Sequence, residues 1–383
     1  IELEQDIIVA LSDKEAGHIL DNLNADDAAA LIDEMPANVV KKLLANADPE
    51  TRRDINHLLQ YPDDSAGSIM TVEFMDLKES YTVEQSLRKI RMEGIDKETI
   101  NTCYILNPHR RLLGAISLRR LLLSDPVEKM SNIMEDHVIS VNTQTDQEEV
   151  AQLFQKYDFT SIPVVDSEGR LVGIITVDDI VDILQQEATE DIEKMAAITP
   201  TDKPYMKTGV LETWKKRIPW LLILMISATF TGRIISHYEA ALASYVVLTA
   251  FIPMLMDTGG NAGSQASVSI IRGLSLNEID YSDTLKILLK ELLVGILIGA
   301  TLAVANFVKL LVIDRVTVTI AAVVCLTLIV TVVFAKLVGC SLPVLAKRLG
   351  FDPAVMASPF ITTIVDALSL MMYFKIAGAI LHI

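Results

Sequence analysis

The stretch Pro253-Met-Leu-Met-Asp-Thr-Gly-Gly-Asn-Ala-Gly-Ser-Gln265 decides the fold, because it places polar residues inside an apolar segment. It contains one acid, Asp257, together with two amides and three glycines. Irregular backbone at membrane depth is tolerated only where protein buries it or where it lines a water-filled cavity. An ionisable residue in a membrane segment is by default a candidate functional residue. We therefore predict that this stretch forms one wall of an ion path.

The charge of the chain is distributed unevenly. Residues 1–209 contain 40 Asp and Glu against 20 Lys and Arg, whereas residues 210–383 contain 10 against 13. So acidic a first half argues against nucleic acid or an anionic membrane surface as a partner and favours cations. The alternative is that the acids only keep the surface soluble. Cys103, Cys325 and Cys340 have no spacing typical of a disulfide framework or a zinc site.

Five apolar segments in the second half are each long enough to cross a hydrocarbon core of about 30 Å. Basic residues near their ends set the orientation, since cytoplasmic loops carry the excess of Lys and Arg. This predicts a multi-pass protein of the cell membrane with a cytoplasmic N-terminal half and an external C-terminus. The spans are placed at about 218–237, 241–270, 286–311, 316–341 and 354–381. The expected cytoplasmic residues are Lys215, Lys216, Arg217, Arg272, Lys286, Lys290, Lys347 and Arg348, whereas Lys309 and Arg315 flank the other side.

Asp366 is the second candidate acid for an ion path. Thr362 and Ser369 share its face at helical spacing, and Pro359 at the start of the span can release a carbonyl from helical bonding. Mg²⁺ prefers oxygen ligands and keeps much of its water shell. We expect one Asp per subunit, backed by carbonyls from a helix break at residues 259–263, to suit a hydrated divalent ion.

Two alternatives concern the membrane acids. Asp366 could be satisfied by a neighbouring helix for structural reasons alone. Glu291 lies near the cytoplasmic end of its span, where snorkelling or pairing with neighbours of Lys290 competes with ion contact.

The first 60 residues predict short stacked helices at Asp26–Glu34, Ala37–Ala45 and Pro49–Gln60, each opened by a residue suited to a helix start. Several of their acids, including Asp21, Asp26, Asp27, Asp33 and Glu34, form either a solvated face or a surface that meets another acidic domain across a cation-filled gap.

Residues 68–186 contain an internal repeat. Ile69-Met-Thr71 is echoed by Ile133-Met-Glu135, and residues 112–120 are echoed by residues 171–179. The two copies resemble a tandem pair of CBS domains, which are β-α-β-β-α modules that sense adenosine nucleotides or other small effectors. The second copy carries Gly173, Thr176 and Asp179 of the family's Gly-x-x-Thr-x-x-Asp pattern, whereas the first has Arg120 in place of the carboxylate. The strand-to-helix turns that carry these residues either bind a nucleotide in one copy or serve only as scaffold.

A helical pattern then continues from Val177 to Met195 with carboxylates at three- and four-residue spacing. Like charges so spaced repel one another, so a stable helix needs a counter-charge nearby. The alternative is a solvated linker helix. The segment Thr199-Pro-Thr-Asp-Lys-Pro204 ends it.

The order of these segments resembles the MgtE family of Mg²⁺ channels along essentially the full chain. The most specific resemblance is Gly259-Gly-Asn-Ala-Gly-Ser-Gln265 in the second span together with Asp366 in the fifth. It implies a multidomain α and α+β architecture with an acidic helical N-domain, two CBS modules, a connecting plug helix and a five-helix transmembrane pore domain. The expected boundaries are 1–67, 68–128, 129–186, 187–209 and 210–383.

The resemblance also implies a homodimer in membrane lipid, with the pore between the two copies and Mg²⁺ as both cargo and regulator. The matching pore residues are Asp257, Gly260, Asn261, Gly263 and Asp366. The matching regulatory acids are Asp146, Glu148, Asp158, Asp179, Asp182, Glu187, Glu190, Asp191 and Asp352. ATP is a possible regulator, with Phe159, Thr176 and Asp179 as candidate contacts.

Three functions are compatible with the sequence. The first is a Mg²⁺ channel that cytosolic Mg²⁺ closes by bridging acidic surfaces. The second is a divalent cation exchanger coupled to Na⁺ or H⁺. The third, a membrane-tethered nucleotide sensor, leaves the glycine-rich stretch and Asp366 unexplained. No catalytic constellation is visible, so we do not expect an enzyme.

Overall fold

The computed structural model describes residue 8 and residues 11–33, 35–201, 203–356 and 358–382. The chain divides into two compact units, Ile1–Gln185 and Gln186–Ile383, and each is described by itself. Glu34, at which we predicted a helix to end, lies outside the described residues.

Four short helices open the described part of the first unit. Local signals start two of them, since Ser12 and Glu15 cap each other at the first helix and Pro49 occupies the first turn of the fourth. Their apolar residues, such as Leu20 and Ile55, are buried in one core. The helices are α1 (Asp13–Leu20), α2 (Ala25–Asp33), α3 (Ala37–Asn46) and α4 (Pro49–Leu58).

Two three-stranded sheets follow, one from each sequence repeat. In each sheet the first two strands are parallel and the last two antiparallel. A parallel pair needs a crossover, which a helix supplies in both copies. The predicted β-α-β-β-α order is therefore confirmed twice. The strands are β1 (Phe74–Lys78), β2 (Thr99–Leu106), β3 (Leu112–Ser117), β4 (Val141–Asn142), β5 (Ser161–Val165) and β6 (Leu171–Thr176). The helices are α5 (Val83–Glu93), α6 (Leu118–Leu123), α7 (Met130–Ile133), α8 (Gln147–Tyr157) and α9 (Val177–Met195).

Reciprocal backbone pairs join the two sheets. The amide of Thr71 donates to the carbonyl of Ile174 over 2.8 Å, and the amide of Ile174 returns a bond of 2.9 Å. Ala115 and Glu135 exchange the equivalent bonds of 3.0 and 2.9 Å. The repeated segment that precedes each sheet thus pairs with the third strand of the other sheet.

A glycine lies under each of these crossings. A Cβ atom on Gly173 would lie 2.7 Å from the carbonyl oxygen of Thr71, and one on Gly114 would lie 2.7 Å from that of Glu135. Both oxygens belong to backbone that is hydrogen-bonded across the crossing, so neither can retreat freely. Gly173, which we assigned to a nucleotide-binding pattern, therefore has a packing reason to be glycine.

The second unit is helical after the end of α9. Four segments of its described part are long and apolar enough to span a membrane, namely Val210–His237, Thr284–Val312, Val318–Arg348 and Pro353–Leu381. The helix that carries the glycine-rich stretch is not among them, so the prediction of five spans stays a prediction. The helices are α10 (Val210–His237), α11 (Glu239–Ser244), α12 (Ile252–Ser275), α13 (Thr284–Val312), α14 (Val318–Arg348) and α15 (Ser358–Leu381).

The glycine-rich stretch is regular helix, so the predicted helix break at residues 259–263 is wrong. The predicted second span, 241–270, also divides, because a 3₁₀ turn at Val246–Phe251 separates α11 from α12. Glycine lowers helix propensity by only about 1 kcal/mol, which the packing of a buried helix face readily offsets. The three glycines are buried and allow close helix packing.

We predict that Gly173→Ala destabilises the paired sheets by about 1–3 kcal/mol, because the added methyl group must displace hydrogen-bonded backbone. Urea titration of the full protein in detergent can follow this through labelling of Cys103, whose side chain is fully buried in β2. Gly209→Ala is the control, since a Cβ there meets nothing within 4 Å. An unchanged labelling midpoint for Gly173→Ala would contradict the packing argument.

Candidate ion-conducting site

Three polar side chains of α12 lie on one exposed face. Asp257, Asn261 and Gln265 follow one another at four-residue spacing, and all three are exposed in the single chain. The other face, which includes Gly259 and Gly263, is buried. Lipid tails cannot satisfy a carboxylate or an amide, so the exposed face requires water or protein.

Asp366 of α15 lies beside this polar face. Its side chain is half-buried and within electrostatic range of the Asp257 carboxylate. The glycines of α12 permit the approach, because a Cβ on Gly260 would lie 3.0 Å from the Thr362 side chain. Helix packing thus brings the two acids predicted for the pore together.

Gly260 and Gly263 have a different role from the one predicted. Both are buried inside a continuous helix, where their carbonyls take part in helical hydrogen bonding. A Cβ on Gly263 would lie 2.7 Å from the side chain of Ile361 and 3.1 Å from the carbonyl oxygen of Ala335. They shape the wall of the site by letting α14 and α15 approach.

The hydroxyl groups near Asp366 bond to their own helix. Ser369 is buried and donates to the carbonyl of Val365 over 2.6 Å. Thr362 and Thr363 both donate to the carbonyl of Pro359 over 3.0 Å. The hydroxyl groups of Thr362 and Thr363 are therefore engaged within the first turns of α15.

Glu291 pairs with a basic residue that our sequence analysis did not consider. Its Oε2 lies 3.6 Å from Nζ of Lys336 in α14, and the two side chains are 13% and 6% exposed. We had expected snorkelling, pairing near Lys290 or ion contact. The signal was present in the sequence as a single lysine inside the apolar run of the fourth predicted span.

Within the second unit, the last turns of α9 meet the loop before α15 through charged side chains. Nζ of Lys194 lies 2.7 Å from both Glu190 Oε1 and Asp352 Oδ2. Asp191 accepts a hydrogen bond of 3.3 Å from the Ser275 hydroxyl. Three of the predicted regulatory acids therefore gather here, and Lys194 supplies the counter-charge that an acidic helix needs.

The pKa values of this group reflect its packing. Burial lowers the pKa of Lys194, but hydrogen bonds and charge interactions with Asp352 and Glu190 raise it above its usual value overall. Burial and then the Asp352 carboxylate raise the pKa of Asp191. The site therefore holds its lysine charged and disfavours additional negative charge.

A second group of acids gathers in the first unit around the start of α2. Burial and then the Asp179 carboxylate raise the pKa of Asp26 to about 7. Oδ1 of Asp26 is buried, and no described residue hydrogen-bonds to it. Burial, followed by nearby carboxylates, also raises the pKa values of Glu98 and Asp179, although a hydrogen bond from Thr176 opposes the shift at Asp179. The members of this acidic group are Asp26, Asp27, Glu73, Glu98, Asp178 and Asp179.

Hydrogen bonds hold α2 against the first repeat at this place. The amide of Ala25 donates to Glu73 Oε2 over 3.4 Å, and the side chain of Asn24 donates to Glu98. Of the two interpretations of the N-terminal acids, Asp26 fits an acidic surface facing another, whereas Asp33 on the same helix is exposed to solvent.

The remaining predicted regulatory acids lie apart. Asp146 caps α8 by accepting from the amide of Glu148 over 2.8 Å, and Asp158 ends that helix in a left-handed conformation with φ of 53°. Asp182 is exposed and Glu187 is half-buried on α9. Within the described ranges, no three His, Cys, Asp or Glu side chains are arranged to hold a metal ion.

The candidate nucleotide contacts are already engaged by protein. The ring of Phe159 stacks on Tyr157 with centroids 5.4 Å apart and packs against the hydrophobic core. The hydroxyl of Thr176 is buried and donates to Asp179 Oδ2 over 2.7 Å. A nucleotide at this position has to compete with that bond and with the nearby acids.

Comparison with known proteins assigns the family. Residues 252–376 match the family model described as a divalent cation transporter, residues 1–64 match the MgtE intracellular N domain, and residues 130–186 match the CBS domain. The magnesium transporter MgtE of Thermus thermophilus is 41% identical over 95% of this chain and 80% of its own length. That of Bacillus subtilis is 36% identical over 100% of this chain and 85% of its own.

Two solved structures are also similar. The soluble part of a magnesium transporter is 34% identical and covers 49% of this chain and 73% of its own, with a TM-score of 0.48. The cytosolic domain of the Mg²⁺ channel MgtE in complex with ATP is 41% identical and covers 46% and 78%, with a TM-score of 0.42. Because both TM-scores lie below 0.5, the sequence relatives carry the assignment: the chain belongs to the MgtE family of magnesium transporters.

Proposed function

We propose that this protein is a Mg²⁺-selective channel for magnesium uptake that cytosolic Mg²⁺ closes. The observation that carries the proposal is the exposed polar face of α12 beside Asp366. In a helix that packs among apolar membrane segments, this face is stable only against water or another protein surface. Two nearby carboxylates and two amides provide the oxygen ligands that a hydrated Mg²⁺ prefers.

The path lies between two copies of the chain. Asp257, Asn261 and Gln265 point away from the helices of their own chain, so a second copy can complete a closed, water-filled path. Two-fold symmetry then brings an Asp366 from each copy to the same depth. In this arrangement the first half is cytoplasmic and the C-terminus lies outside the cell membrane.

Closure by Mg²⁺ follows from the crowded carboxylates. In the first unit, burial and then neighbouring carboxylates raise the pKa values of Asp26, Glu98 and Asp179, so negative charge is unfavourable there. A divalent cation that joins the group relieves this repulsion. Mg²⁺ therefore favours the compact arrangement through its higher affinity for it. Closure is transmitted to the pore through the contact between Asp352 and the last turns of α9.

Two further roles are also proposed. An exchanger coupled to Na⁺ or H⁺ remains the alternative mechanism, and Glu291, the remaining acid of the predicted spans, is paired with Lys336 rather than available for a coupling ion. ATP is proposed as a regulator at the second repeat, near Phe159 and Thr176. The similar cytosolic domain of the Mg²⁺ channel MgtE was solved in complex with ATP.

We predict that Asp366→Asn lowers Mg²⁺ entry into proteoliposomes about tenfold or more, since it removes a charge-assisted contact worth roughly 1.5–3 kcal/mol. Entry should be downhill, should need no Na⁺ or H⁺ gradient, and should fall as Mg²⁺ is added on the cytosolic side. Asp314→Asn is the matched control, because Asp314 pairs with Lys309 outside the polar face. Entry unchanged by Asp366→Asn contradicts the proposed path, and entry that needs a second ion gradient favours the exchanger.

A second prediction concerns pH. The folded pKa of Asp26 lies near 7, above its unfolded value of about 4, so the folded state binds this proton more tightly. The resulting stability is complete below pH 4 and is lost as the pH rises through 7. In Mg²⁺-free buffer, the free energy of unfolding should decline between about pH 5.5 and pH 8, and Asp26→Asn should remove roughly 1–3 kcal/mol of that decline.

Urea titrations of the full protein measure this decline. Asp33→Asn, an exposed acid on the same helix, should leave it unchanged. Added Mg²⁺ should flatten the decline in the unmodified protein. If the decline persists in full after Asp26→Asn, other titratable groups cause it and the prediction is wrong.

A further inference from the structure

The ion pair of Glu291 and Lys336 has no role in the path described above. It joins α13 to α14 at a contact of 3.6 Å, and both side chains are nearly buried. Oε2 of Glu291 is inaccessible to solvent and has no hydrogen-bond partner among the described residues. The two charges therefore meet as a loose contact, without the hydrogen bond that usually compensates a buried ion pair.

Such a pair is a poor source of stability. The desolvation of two charges commonly exceeds their attraction, and apolar residues of similar volume often stabilise a protein more. Burial among membrane helices increases this cost. The best-attested use of a costly buried polar contact is to select one helix register among several.

The interface between α13 and α14 needs a contact that selects one register. Glu291 begins a stripe that continues with Gly295, Gly299 and Ala303, each four residues further along α13. A Cβ on Gly295 would lie 3.2 Å from the Cα of Val333, and one on Gly299 would lie 3.0 Å from the Cα of Ile329. The backbones are therefore close along the whole stripe.

A stripe of small residues permits close approach without specifying one axial position. A shift of α14 by one turn, about 5.4 Å, would place another set of side chains against the same smooth surface. The ion pair distinguishes these positions, because a shift in either direction separates Lys336 from Glu291 and leaves two unpaired charges inside the bundle.

A different face of α14 supports α12. A Cβ on Gly259 would lie 2.6 Å from the side chain of Thr331, and a Cβ on Gly339 would overlap the carbonyl oxygen of Gly263. The carbonyl of Ala335, the residue before Lys336, also lies against Gly263. The axial position of α14 therefore sets the position of α12 and of its polar face.

We infer that Glu291 and Lys336 form a positioning pair that fixes α14 in one register on α13 and so holds the polar face of α12 in place for selective conduction. The part that concerns conduction rests on the proposed function. Neither residue contacts the ion.

Four variants test the pair: Glu291→Gln, Lys336→Met, the neutral double variant that combines them, and the exchanged pair Glu291→Lys with Lys336→Glu. Each full-length protein is measured for its thermal midpoint in detergent and for its ratio of Mg²⁺ to Ca²⁺ entry in proteoliposomes. Either single variant should lower the midpoint by about 5 °C or more, because it leaves a buried charge unpaired.

The double variants separate positioning from simple stability. The neutral double variant should regain the thermal midpoint but lose the register, so its ratio of Mg²⁺ to Ca²⁺ entry should fall about tenfold. The exchanged pair should restore both quantities. A neutral double variant with the unmodified ratio, or one as unstable as the single variants, overturns the inference.

The thermal measurements also separate this inference from the proposed function. If the unmodified protein admits no Mg²⁺, the proposed function fails. In that case the thermal midpoints still test the pairing of Glu291 with Lys336. If the shift in the neutral double variant differs from the sum of the two single shifts, the residues are paired, and if it equals that sum, they are not.

Discussion

Close packing of the glycine face of α12 is the contact on which the rest of the second unit depends. Because residues 259, 260 and 263 carry no side chains, α14 and α15 reach the backbone of α12. One face of the helix is therefore filled by protein, and its polar residues must lie on the other face. The candidate site thus arises from an ordinary helix with two unlike faces, and no exposed irregular backbone is needed at membrane depth.

Charge inside the protein is handled in two different ways. Glu291 has a lysine within the same chain, Lys336, so its neutralisation is permanent. In the group around Asp26, burial and then neighbouring carboxylates raise the pKa values. A covalently attached ammonium cannot report the composition of the cytosol, whereas crowded carboxylates respond to the concentration of a soluble cation. The first arrangement suits fixed architecture and the second suits regulation.

Much of the fold was predictable because it depends on local pattern. Helix starts at Pro49 and the duplicated segments at Thr71 and Glu135 are visible as residue types at fixed spacing. Asp257 and Asp366 could be named as candidates for the path because an acid in an apolar segment has a large desolvation cost. Tertiary packing explains the errors, since a glycine cluster in a sequence does not distinguish a helix break from a close helix crossing. Lys336 and the Asp26 group depend on partners distant in sequence, which no periodicity reveals.

The reciprocal pairing of the two repeats constrains how the chain folds during synthesis. Thr71 leaves the ribosome roughly a hundred residues before its partner Ile174, and contacts of such sequence separation form slowly. Until then the first sheet has only the later segment at Glu135 to cover its β3 edge, and Thr71 has no strand to pair with. The nascent first repeat therefore has its own apolar core but completes its backbone pairing only when the second repeat arrives. The order of synthesis thus leaves the segment at Thr71 waiting for a strand that the ribosome has not yet made.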